Sequence, residues 1–130
     1  MKRIAAIAVI TVATVACGGS GHASLYVKEP SQACLVGKGL RVRPVVDTTD
    51  FVANSATGGA FRATLPGISV TVSFGLTLED ADNINQAYRH FRAANVGIED
   101  VLRQQRNAVM LWQAHPSDTD IARITGCLKS

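Results

Sequence analysis

The side chains with types and spacing suited to chemistry are a set of acids, three histidines, three cysteines and one row of hydroxyls. Asp47 with Asp50, Asp80 with Asp82, and Asp118 with Asp120 beside His115 are carboxylate pairs that a divalent cation could use. A blander role accounts for them. Asp47 to Asp50, Thr77 to Asp80 and Ser117 to Asp120 each set an acid three positions after a capping residue, where it meets the unpaired N–H groups and positive dipole end of a helix. A calcium loop, with acids at alternate positions and a distal Glu, is not in the sequence. Zinc asks for three or four nitrogen or sulfur ligands; His22, His90 and His115 are scattered and read as surface histidines. No metal or cofactor is expected.

Nucleophilic and phosphate-binding signatures are missing too. There is no Gly-x-Ser-x-Gly or Ser-x-x-Lys motif, and Gly58-Gly59 is not followed by Gly-Lys-Ser/Thr. No catalytic set can be assembled, although a hydrolase-like site converging on His115, Asp118 and Asp120, or on His90 with Asp82, stays open as the alternative. Cys34 and Cys127 lack a Cys-x-x-Cys partner or an adjacent histidine, so a disulfide is the expectation in an oxidising compartment.

The stretch that points toward binding is Ala60–Gly75. Phe61, Ala63 and Leu65, then Ile68, Val70, Val72 and Phe74, alternate with polar residues, which is the period of strands buried on one face. Pro66-Gly67 between them is a turn pair, Pro setting the first corner and Gly the second. Arg62, Ser69, Thr71 and Ser73 share the other face and form a candidate binding surface. Trp112 is added to it provided that its own strand turns the indole outward.

The remaining elements must position this hairpin. Pro30–Val36 predicts a helix carrying Cys34 and Leu35, and Leu40–Val46 predicts a strand with Arg41 and Arg43 on one face and Leu40 and Val42 on the other. Pro44 puts that strand at a sheet edge. Asp47–Ala56 predicts a loop with a short helical turn. Thr77–Arg92 is the main helix, with Ala81, Ile84, Tyr88 and Phe91 drawing one apolar stripe. Ile98–Gln105 predicts a second helical piece. Ala108–Trp112, continuously apolar, predicts a strand buried on both faces. Ser117–Leu128 predicts a closing helix with Ile121, Ile124 and Leu128 inward. The expected fold is α+β: three or four mainly antiparallel strands with helices packed on them and one Cys34–Cys127 disulfide.

The compartment is read from the N-terminal segment. Lys2 and Arg3 precede an apolar run, Ile4–Ala16, too short to span a membrane that needs about 18 to 20 such residues. At Thr14-Val15-Ala16-Cys17-Gly18-Gly19 it resembles the lipobox of bacterial envelope lipoproteins, with Thr14 where Leu or Val is usual. The resemblance implies lipidation at Cys17 and anchoring to the outer face of a membrane, with residues 1–16 a signal peptide, 17–29 a flexible tether and 30–130 a single domain. Gly21-His22-Ala23 offers the alternative of ordinary cleavage after Ala23 and secretion.

Losing Lys2 and Arg3 would take the 13 basic residues to 11 against 10 acidic ones, about +1. A chain so nearly neutral, with no basic cluster beyond Arg41 and Arg43, argues against nucleic acid as a partner. The expected function is a non-catalytic binding or accessory module, meeting an envelope protein or ligand.

Overall fold

The computed structural model describes residues 24–46, 50–92 and 97–130. Cys17, His22 and Asp47 lie outside them. The elements run α1 (Lys28–Gly37), β1 (Arg41–Pro44), α2 (Phe51–Asn54), β2 (Ala60–Leu65), β3 (Ile68–Phe74), α3 (Leu78–Arg92), α4 (Ile98–Val101), β4 (Leu102–Gln105), β5 (Ala108–Trp112) and α5 (Asp118–Thr125). The strands form one antiparallel sheet in the order β1-β2-β3-β5-β4. The fold is α+β as expected, with five strands rather than three or four.

The β2–β3 hairpin has the expected register, Leu65 opposite Ile68, and Gly67 takes φ +79 at the second corner, which a side chain would resist. The added strand is β4. Ile98, Val101 and Leu102 fit helical spacing, but after one turn the chain becomes extended and pairs with β5 through Leu102↔Leu111 to Gln105↔Ala108. That partner lies across a turn at Arg106-Asn107, and its ladder of backbone hydrogen bonds overrides the local helical pattern. Edge position for β1, inferred from Pro44, holds.

Helices cover both faces of the sheet. On the first, Phe61, Ala63, Leu65, Val70, Val72, Phe74, Ala108, Met110 and Trp112 pack with Leu35 from α1 and with Ile124, Cys127 and Leu128 at the chain's end. Cys34 and Cys127 are disulfide-bonded across this layer, Cα to Cα 5.4 Å, closing a separation of 93 residues. On the second, Val109, Leu111 and Leu102 pack with Val52 from α2 and with Ala81, Ile84 and Tyr88 from α3. Strand β5 is therefore buried on both faces.

Caps fall where the sequence places two of them: Thr77 Oγ1 accepts from the Asp80 N–H at 3.0 Å, and Ser117 Oγ accepts from the Asp120 N–H at 3.1 Å. The α2 cap is Asp50, whose Oδ1 accepts from the Ala53 N–H at 3.0 Å. The α3 stripe stops one residue short of expectation. Phe91 is 58% exposed and makes an edge-on contact, 4.7 Å between centroids, with Phe51, itself 56% exposed.

Residues 24–29, expected in the tether, belong to the fold. Buried Asn107 holds Tyr26 at both main-chain groups, its Oδ1 accepting from the Tyr26 N–H at 2.7 Å and its Nδ2 donating to the Tyr26 carbonyl at 2.9 Å. The same Nδ2 donates to the Gly75 carbonyl at 2.8 Å. Val27 N–H donates to the Lys129 carbonyl at 2.7 Å, and buried Ser31 Oγ donates to the Val27 carbonyl while accepting from the Lys129 N–H. Tyr26 and Val27 supply main-chain groups that composition alone reads as linker.

Candidate functional site

Helix α3 crosses β3, β5 and β4, while α1 packs over β1 and β2 on the opposite side. The β1–β2 half of the second face therefore has no long helix over it. What it presents follows from alternation along each strand and the register between strands. Arg43 stands opposite Arg62, Arg62 opposite Thr71, and Thr71 opposite Leu111; the next rung brings Arg41 opposite Thr64 and Thr64 opposite Ser69. All of these except Ser69 line a cleft of about 480 Å³, together with Val45, Val46 and Asp50. A shallower cleft of about 420 Å³ continues past Ser69 and Gln113 to the Gly67 turn, sharing Arg62, Thr64 and Gln113 with the first. Together they form a polar trough along the sheet.

Among the described residues, the charged side chains lining the trough are mainly cationic. Arg41, Arg43 and Arg62 are all exposed, and none of their guanidinium groups makes a hydrogen bond or ion pair with a described residue. The ion pair found among the described residues, Arg89 with Glu99, lies elsewhere. Among the described residues the lining includes one carboxylate, Asp50, already engaged: besides capping α2 it accepts from the Tyr88 hydroxyl at 2.8 Å, tying α2 to α3. Ser69 Oγ donates to Gln113 Oε1 at 3.1 Å, and the Gln113 N–H donates to the Ser69 carbonyl at 2.9 Å.

The five residues expected on the binding face separate into three groups. Arg62, Ser69 and Thr71 line the trough, Thr71 being largely buried on its floor. Ser73 is on the same face but fully buried, where α3 and Val109 cover it; its hydroxyl has no partner among the described residues. Trp112 corrects the expectation: it is among the residues bounding the cleft, but its indole does not face into it. It pairs with Val70, which turns its side chain to the first face, and it is 2% exposed in that core, its indole N–H unpartnered among the described residues.

Arg41 and Arg43 are trough residues that the candidate face omitted, although their alternation in β1 was legible. Bringing them beside Arg62 depends on a pairing between strands that local sequence does not specify.

The residues that would have assembled a hydrolase site stand apart from the trough. His115, Asp118 and His90 are exposed, and Asp82 accepts from Gln104 Nε2 at 2.8 Å. Among the described residues no group of three or more His, Cys, Asp or Glu is placed to hold a metal ion, and no helix is long and apolar enough to cross a membrane. Comparison with protein-family models, with curated proteins and with solved structures finds no match.

Proposed function

We propose that the protein is a non-catalytic binding module, held on the outer face of a membrane by a lipid on Cys17, which meets its ligand through the β1–β2 trough. One observation carries the binding half of this reading: α3 leaves the β1–β2 part of the second face open, and the cleft there is lined by three arginines and the polar Thr64, Thr71 and Gln113 beside apolar Val45, Val46 and Leu111. A sheet face that is only solvated needs no concavity. A cleft with convergent polar groups is the usual form of a small-ligand site. The anchoring half rests on Lys2 and Arg3, the apolar run Ile4–Ala16 and the lipobox-like Thr14-Val15-Ala16-Cys17.

Two measurements test the two halves separately. Intact mass of protein extracted from its native membrane should carry acyl chains on an N-terminal Cys17; a mass beginning at Ser24 without lipid would replace anchoring with secretion. For the trough, Thr64→Cys and Thr119→Cys place thiols at exposed positions, one in the trough and one on α5. Thiol reagents should label both equally in purified protein, and should label Thr64→Cys more slowly in the intact envelope. Equal labelling in both settings would mean that nothing occupies the trough there.

A further inference from the structure

The charge pattern of the trough specifies more than an open surface. Like charges directly opposite each other on antiparallel strands repel, and Arg43 faces Arg62 in that way, one rung from Arg41. No described residue offsets the repulsion by ion pairing, and Asp50, which lines the trough, is already engaged by Ala53 and Tyr88.

A dianion seated between Arg43 and Arg62 would turn this repulsion into charge-assisted hydrogen bonds. The guanidinium fork fits tetrahedral oxyanions with paired N–H donors. A phosphoryl group brings about −1.5 to −2 charges at neutral pH with three acceptor oxygens, where a carboxylate brings only one charge. Beside the arginines, the Thr64 and Thr71 hydroxyls and the Gln113 amide line the same cleft. Gln113 Oε1 is taken by Ser69, leaving its Nε2 free among the described residues. These are groups suited to the hydroxyls of a sugar or polyol, and a volume of about 480 Å³ falls in the range of small-molecule sites.

We infer that the trough binds a small phosphorylated polyol, of the size of a sugar phosphate, with its phosphoryl group between Arg43 and Arg62, assisted by Arg41, and its hydroxyls on Thr64, Thr71 and Gln113. This rests on the trough being the ligand-facing surface and adds the chemistry of the ligand.

Calorimetric titration of the full chain with glucose phosphate, inorganic phosphate, glucuronate and glucose tests it. Glucose phosphate should bind about tenfold more tightly than glucuronate or inorganic phosphate, with glucose silent and affinity falling as salt is raised. The double variant Arg43→Gln/Arg62→Gln should lose about tenfold or more in affinity with no fall in melting temperature, while Arg123→Gln on α5 binds as wild type. Equal affinity for glucuronate would overturn the phosphoryl assignment. Equal affinity for inorganic phosphate would remove the polyol. Unchanged affinity in the double variant would move the site out of the trough. Absence of binding by any probe would overturn the inference as a whole, while protection of Thr64→Cys in the envelope would still be able to uphold the trough as an occupied surface.

Discussion

On β2, Phe61, Ala63 and Leu65 point into the core shared with α1 and α5, while Arg62 and Thr64, each one residue along, stand exposed on the other side. On β5 both sides are buried. The difference between these strands lies in what covers their second face: α3 packs over β5, whose residues there are Val109 and, at the margin of the trough, Leu111, and stops short of β2, whose residue opposite Thr71 is Arg62. One sheet thus carries a sealed face and a divided one. Burial is spent on the first face and on half of the second, and the remaining quarter of the sheet is free to hold charges that a covered position would not tolerate.

That contrast can be broken from the sealed side first. Replacing Cys34 and Cys127 by Ser releases a closure of 93 residues and should cost about 4 to 5 kcal/mol on the chain-entropy model, read as a drop in denaturant midpoint. Phe61→Ala, at a fully buried ring packed 5.8 Å from Phe74, should cost about 4 kcal/mol. A cost below about 1 kcal/mol would mean the first face is far less tightly packed than its burial implies.

The divided face should respond less. Tyr88→Phe removes the hydroxyl donated to Asp50 and should cost about 1 kcal/mol, with greater hydrogen exchange in α2, because Asp50 joins that short helix to α3. Arg62→Thr, on the same strand as Phe61 and one residue away, should change stability by no more than about 0.5 kcal/mol and in the stabilising direction, since it removes a like-charge pair. A loss of stability at Arg62 comparable to that at Phe61 would erase the distinction between the two sides.

The parts legible in the sequence were those fixed by local chemistry. Alternation gave the β2–β3 hairpin, Pro66-Gly67 its turn, Thr77 and Ser117 the caps of the helices they begin, and continuous apolarity the doubly buried β5. Cysteine parity pointed to the disulfide. What escaped was decided between distant segments. Leu102–Gln105 is a strand because β5 lies beside it, not because its own residues alternate. Phe91 continues the α3 stripe by spacing, yet at that point of the helix the ring meets Phe51 at the surface instead of the sheet. The trough divides in the same manner: Arg62, Ser69 and Thr71 came from one hairpin's alternation, whereas Arg41 and Arg43 joined them through β1–β2 register.

The clasp around Tyr26 has a mechanical meaning. At the start of the described chain, Tyr26 and Val27 are gripped by Asn107 in the β4–β5 turn and by Lys129 near the C-terminus. Arg106 adds a bond to the Ser24 carbonyl and lies 5.2 Å from the centre of the Tyr26 ring. Tension drawn along the chain from its N-terminal side therefore reaches the β4–β5 turn and the end of the chain before it reaches α1. A tug on that side is shared across the body of the molecule, and the helix that carries Cys34 is spared from being peeled away first.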